Sequence, residues 1–315
     1  MFVIIFILGF FFMHLTDGRM SPNTLPSGPQ GANPQDTSGA IVHPYFEEPL
    51  KQLEKRIPEL RGIRPASDQQ PLQIILRKTG EQVDQFFEDL VDVEANEQIQ
   101  QERLLGFGSG SSRVSIHDSY LIVRHENGAH ADFEEYRTDD QGNRLDAPGL
   151  QRGFLVTSGF ALLSASLSTN AQSESTYRYL GDEKLRAGDT YVVGFAQQPD
   201  KATSSVTMIG PEGVVHLLTQ GIAWVDKQTF HILQIRTDLL MPQPQVGLEE
   251  QTTKVDFSEV RLADVSTSLW LPRDVTVYMK IGRFGQHQVE EAFRNVHHYS
   301  DYRRYRVSIR MVPSQ

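Results

Sequence analysis

The period of the hydrophobic pattern changes once along this chain, and that change restricts the fold more than any other feature. Between Leu72 and Val91, Leu72, Ile75, Leu76, Thr79, Val83, Phe86, Phe87, Leu90 and Val91 recur at intervals of three and four. Such spacing puts them on one stripe of an amphipathic helix about five turns long. Asp68 is placed to cap it, Pro71 suits its first turn, and Gly80 interrupts it. From about residue 94 the period becomes two. Val114 to Val123 and Asp132 to Thr138 read as strands joined through Asn127-Gly128. Leu163, Ala165 and Leu167 alternate with serines and predict another strand. Tyr191, Val193 and Phe195 share a face, and Ile222–Asp226 and Phe230–Thr237 flank a turn at Lys227-Gln228-Thr229. Val275, Val277, Met279 and Ile281 follow, and Tyr305, Val307, Ile309 and Met311 predict the last strand. One helix followed by a run of strands with short, turn-rich connections predicts a β-rich α+β fold: a curved antiparallel sheet, an incomplete barrel, wrapping a long N-terminal helix.

The N-terminus has a different character. Residues 2–15 are almost wholly apolar, a length that suits the hydrophobic region of a signal peptide and is short for a membrane span. No Lys or Arg precedes the run, and no small-x-small cleavage site follows it. Residues 1–16 are therefore expected to be a signal peptide or an N-terminal anchor, with membrane association through residues 2–15. Residues 17–44, rich in Pro, Gly, Ser, Asn and Gln, read as a flexible spacer. Residues 45–69 form a short helical extension in which Leu50, Leu53 and Ile57 have helical spacing and Pro58 ends the helix. Residues 70–315 form the main domain. An exported protein facing the periplasm is expected.

Several stretches occur together in a definite order: Tyr179-Leu180-Gly181, Gly188-Asp189-Thr190-Tyr191-Val192-Val193, Trp224-Val225-Asp226-Lys227-Gln228-Thr229 with Ile232-Leu233, and Leu269-Trp270-Leu271-Pro272 with Val275. In this the chain resembles the outer-membrane lipoprotein-carrier and lipoprotein-sorting (LolA-like) superfamily over roughly residues 70–312. The resemblance implies an incomplete antiparallel barrel whose concave face is apolar and partly plugged by helices. It also implies a role in holding lipoprotein acyl chains or other envelope components. Residues 139–175 read as an insertion relative to the carriers.

Other chemistries are excluded or disfavoured by composition and spacing. The net charge of −10 argues against general nucleic-acid binding, which needs a basic face. The chain has no cysteine, so disulfides, thiolate metal sites and cysteine nucleophiles are absent. His297-His298 with Asp301 is the histidine group to weigh as a metal site. Adjacent strand residues point to opposite faces, however, so a surface strand end is expected and no metal. The same geometry separates Glu134 from Glu135 and Glu290 from Glu291, and at least one of each pair is expected to be exposed. Gly106–Gly110 lacks dinucleotide-loop spacing and reads as a loop. Arg304, Arg306 and Arg310 share one face of the last strand and read as a solvated face, with a docking patch for anionic lipid headgroups or an acidic partner as the alternative. No enzymatic activity and no cofactor are expected.

The function expected is binding of an acyl chain or other apolar ligand in the concave sheet. The alternative is a non-catalytic structural or protein-interaction module of the envelope with a self-filled core. The candidate lining residues are Tyr191, Val193, Phe195, Trp224, Ile232, Val277 and Met279, with Phe86 and Phe87 as a movable plug.

Overall fold

A computed structural model describes residues 6–8, 44–105, 111–127, 130–145, 157–203, 206–210, 213–282 and 291–305. Residues 17–43 of the spacer and most of the N-terminal apolar run lie outside these residues, as do the loop at 106–110 and residues 306–311 of the expected last strand.

Helix α1 (Leu50–Arg56) is followed by a 3-10 turn at Pro58–Leu60. Pro58 has no N–H to continue the helix, and the Ile57 N–H closes on the Leu53 carbonyl. Helix α2 spans Leu72–Asp89, with Pro71 at its N-cap. Asp68 does not cap it: its carboxylate accepts the Gln70 N–H at 2.9 Å, one turn earlier. The C-terminal end is closed from outside. Arg124 Nη1 donates to the carbonyls of Phe87, Glu88 and Leu90 at 2.9–3.3 Å, satisfying groups a helix end leaves open.

The strands are β1 (Phe6–Leu8), β2 (Arg64–Pro65), β3 (Val93–Leu105), β4 (Ser111–Asn127), β5 (His130–Thr138), β6 (Ser175–Leu185), β7 (Gly188–Gln197), β8 (Val206–Gly210), β9 (Gly213–Leu217), β10 (Thr219–Asp226), β11 (Ile232–Leu239), β12 (Leu248–Val260), β13 (Leu269–Ile281) and β14 (Glu291–Arg304). Among the described residues, eleven of them form one antiparallel sheet in the order β2-β6-β7-β10-β11-β12-β13-β14-β3-β4-β5. The sheet does not close, and β2 and β5 are its edges. The pairing of β14 with β3 joins the early and late meanders. A separate three-stranded sheet has the order β1-β8-β9.

The Asp226 carboxylate sets the β10–β11 turn by accepting the N–H groups of Gln228 and Thr229. Phe230 takes a positive φ of 62° there, so β11 begins at Ile232.

Both faces of the sheet are covered. On one, the inner face, Val193, Ala223, Ile235, Val255 and Val275 form a cross-strand row buried in the same cluster as Ile75 and Val83 of α2. On the other, Val192, Ile222 and Trp224 pack with Leu53, Ile57 and Leu60 of the N-terminal segment.

The expected strand through Leu163, Ala165 and Leu167 is instead a 3-10 helix, Ala161–Leu167. Its alternation misled because Ser164 is buried along with the apolar residues. A second 3-10 turn, Ala171–Glu174, follows. This segment packs on α2 rather than joining the sheet. Gly80 marks the closest approach: a Cβ there would lie 2.6 Å from Gln172 Nε2 and 3.0 Å from Thr169 Cγ2. Gln172 Nε2 donates to the Leu76 carbonyl at 2.8 Å, and Thr169 hydrogen-bonds Asp84.

Candidate functional site

The sheet register sorts the candidate lining residues. Val193, Phe195, Ile232 and Val277 are buried in the inner-face cluster, with Tyr191, Phe86 and Phe87 partly buried at its margin. Phe87 sits edge-on to Phe86 and 5.6 Å from the Phe133 ring of β5. Met279 belongs to a neighbouring cluster with Met208, Leu217 and Phe293, where the β8–β9 hairpin lies. Trp224 is not with the others. It pairs with Val192, faces the N-terminal segment, and donates its indole N–H to Glu183 at 2.7 Å. A one-residue change of register reverses the face, and the dry stretch from Thr219 to Val225, buried on both sides, gives no alternation to read.

Charge lies within the same face. Glu97, Arg137, His297 and Tyr299 are each at most 4% exposed. Arg137 grips the Glu97 carboxylate through two parallel bonds, Nε to Oε2 at 2.5 Å and Nη2 to Oε1 at 2.7 Å. The Tyr299 hydroxyl donates to Oε1 at 2.7 Å, and His297 Nδ1 lies 2.8 Å from the same atom. Beside a carboxylate that nitrogen carries the proton, which leaves Nε2 to accept from the Thr157 hydroxyl at 2.9 Å. Arg137 also donates to the Thr157 carbonyl, and Asn295 to the Thr157 hydroxyl. The neighbouring Glu135 accepts the N–H groups of Gly159, Phe160 and Leu162. Residues 157–162 are thus pinned to the sheet by polar contacts.

The electrostatics follow from that arrangement. Burial alone would raise the Glu97 pKa, but the Arg137 charge and the bonds from His297 and Arg137 outweigh it and hold the carboxyl far below the usual range. Burial pushes the His297 pKa down, against the pull of Glu97, so the imidazole is neutral. Burial pushes the Glu135 pKa up, opposed by the Gly159 and Leu162 N–H groups. His297 is therefore a core residue, not a surface strand end. His298 faces the other way and meets Asp274 at 2.8 Å, as the alternation of a strand requires.

Thr157, His297 and Glu97 form a hydrogen-bonded chain with the connectivity of a catalytic triad. Its chemistry points elsewhere. Arg137 neutralises Glu97, and Thr157 and His297 are each 1% exposed. The chain of bonds fastens a segment and orders a tautomer. A polar cavity of about 230 Å³ lies apart from this face, lined by charged residues including Arg64, Asp182, Glu183, Asp189 and Lys227. Lys227 meets Asp182 there at 2.7 Å. No group of His, Asp and Glu able to hold a metal ion occurs among the described residues.

Sequence reasoning passed over Glu97 and Arg137. The signal was there: Glu97 falls in phase with Val93, Ala95 and Ile99, at a position facing inward. Arg137 carried none, because its inward direction depends on the pairing of Arg137 with Tyr120.

No protein-family model matches the sequence, and no curated protein does. The structure is similar to that of a DUF1329 family protein from Desulfovibrio piger, with 15% identity, 74% of this chain and 93% of that chain covered, and a TM-score of 0.34. It is also similar to an outer membrane lipoprotein-sorting protein domain from Vibrio parahaemolyticus, with 15% identity, coverage of 72% and 91%, and a TM-score of 0.32. At these TM-scores the likenesses carry no functional argument.

Proposed function

We propose that this chain is an exported, non-enzymatic envelope protein. Its inner sheet face wraps α2 and takes up an acyl chain or other apolar ligand when α2 and residues 157–174 move aside. The observation that carries the proposal is how the inner face is covered. Its apolar rows lie under segments that add no strand to the sheet. Those segments are held by side-chain contacts and by polar ties at Thr157, Gly159, Phe160 and Leu162. A cover of that kind can be exchanged for a ligand without breaking a strand ladder, and each buried CH₂ contributes about 0.8 kcal/mol. The candidate residues for the ligand face are Val193, Phe195, Ile232, Val277 and Met279, with Tyr191, Phe86 and Phe87 at the margin.

One observation favours a second reading, an interaction module with a self-filled core: Val193, Phe195, Val277 and Met279 are at most 1% exposed as the chain stands. Titration of the purified protein with a fluorescent fatty acid separates the two. Saturable binding, with faster amide exchange across 157–174 on binding, supports the carrier. Absence of saturable binding, with Phe86→Ala and Phe87→Ala lowering stability only, leaves the interaction module.

A further inference from the structure

The inner face is not uniformly apolar. One cross-strand row runs Thr237, Thr253, Val277, Asn295 and Gln101, each opposite the next on β11, β12, β13, β14 and β3. On one side lies the row of Ile235, Val255 and Val275, and on the other lie Leu239, Met279 and Phe293. The polar members are all buried, and so is Gln251, which lies two residues from Thr253 on β12, opposite Met279 in the flanking row. A band of hydroxyls and amides therefore crosses the sheet between two apolar clusters.

Gln251 is the informative member. It is 4% exposed, and its Nε2 donates to the Thr253 hydroxyl at 3.2 Å, while its Oε1 has no partner among the described residues. Turning the amide over exchanges the two atoms and leaves the nitrogen unpartnered instead. Either way a buried amide retains at least one unused hydrogen-bonding position, which costs about 1–3 kcal/mol in a closed core. A group able to donate or accept in either case is a hydroxyl.

We propose that this band selects an apolar chain carrying a hydroxyl along its length, with Gln251 and Thr253 as the specificity-determining residues. The chain's apolar parts lie on the clusters to either side, and its hydroxyl meets Gln251. The inference rests on the ligand-binding reading above and narrows it to a ligand class.

The test is competition against a bound fluorescent fatty acid by a matched pair: a fatty acid with a mid-chain hydroxyl, and the same acid without it. The full-length protein is expected to bind the hydroxylated acid roughly fivefold more tightly, the effect of one net hydrogen bond. Gln251→Leu makes the two acids compete equally, whatever it does to the affinity of each, and Thr253→Val, close to isosteric, weakens the preference in the same direction. Equal affinity of the pair for the unaltered protein overturns the proposal, and so does a preference that survives both substitutions. In either case the plain acid still binds and the carrier reading stands. If neither acid binds, the carrier reading falls and this inference falls with it.

Discussion

Replacing Arg137 by Met tests the electrostatic account of the inner face most directly. The guanidinium makes two bonds to the Glu97 carboxylate and one to the Thr157 carbonyl, and both charged side chains are wholly enclosed. Breaking a buried pair from one side leaves an uncompensated charge, at a cost of about 3–5 kcal/mol. That loss is the expectation for Arg137→Met at pH 8, read from urea unfolding. The pH dependence carries the sharper test. In the unaltered protein burial and the Arg137 charge both push His297 below its ordinary value of 6.5. A histidine with a depressed folded pKa contributes stability that is present above 6.5 and is lost as pH falls from there through the depressed folded value, because over that window the unfolded chain binds the extra proton. Without Arg137, Glu97 becomes an unneutralised anion 2.8 Å from Nδ1, and the imidazolium is the cation that replaces the guanidinium.

The folded His297 pKa of the variant then lies above the unfolded one, and the sign reverses. The variant's deficit is fullest at alkaline pH and shrinks as pH falls through the raised pKa, by about 1.4 kcal/mol for each unit by which the pKa has risen. Glu135 also loses the Arg137 charge that lowers its pKa, so its titration moves up in the variant and shrinks the deficit in the same direction as pH falls. A deficit under about 1 kcal/mol, or one that does not change between pH 8 and pH 5.5, refutes this account of the cluster. The double variant Glu97→Leu with Arg137→Met is expected to recover most of the loss, since a buried pair exchanged for apolar residues is often neutral or stabilising.

Three further outcomes follow from local geometry. Gly80→Ala should cost about 1 kcal/mol despite the better helix former, because the added Cβ meets Gln172 Nε2 and the Thr169 backbone nitrogen; thermal melting of the variant measures it. Trp224→Ala should cost about 3–5 kcal/mol in chemical unfolding yet leave fatty-acid affinity unchanged, since Trp224 packs on the face opposite Val193. Glu135→Leu leaves the Gly159, Phe160 and Leu162 N–H groups without their acceptor. It should speed amide exchange in residues 157–167 by about tenfold or more, with the exchange of β10–β13 unaffected.

The strands were legible because each sheet face asks for one residue character at every second position. The alternations at Val114–Val123, Asp132–Thr138 and Val275–Ile281 fall within β4, β5 and β13. The pattern failed in two places, for two reasons. At Leu163–Leu167, small side chains and serines fit a tight helical turn as well as a strand, and nothing local records that no strand lies alongside to pair with it. At Trp224 the strand is buried on both faces, so every position looks inward and the face cannot be assigned without the register.

The polar part of the inner face was hidden by a different limit. Periodicity says which way a side chain points, while the worth of a buried charge depends on what meets it there. Glu97, Arg137, His297 and Thr157 come from β3, β5, β14 and the segment before the 3-10 turn, and 140 residues separate Thr157 from His297. An inward Glu on an otherwise apolar stripe signals that a cation waits across the sheet, because an unpaired carboxylate would not stay ionised there. It does not say which cation. Arg137 was one of many arginines until strand pairing put it beside Tyr120, next to the strand that carries Glu97. The same holds for Thr237, Thr253, Asn295 and Gln101. Each is an ordinary polar residue along its own strand, and only the register makes them one row. Composition and period therefore delimit the sheet and its faces, while the groups that would recognise a ligand are a property of the order in which the strands are laid side by side.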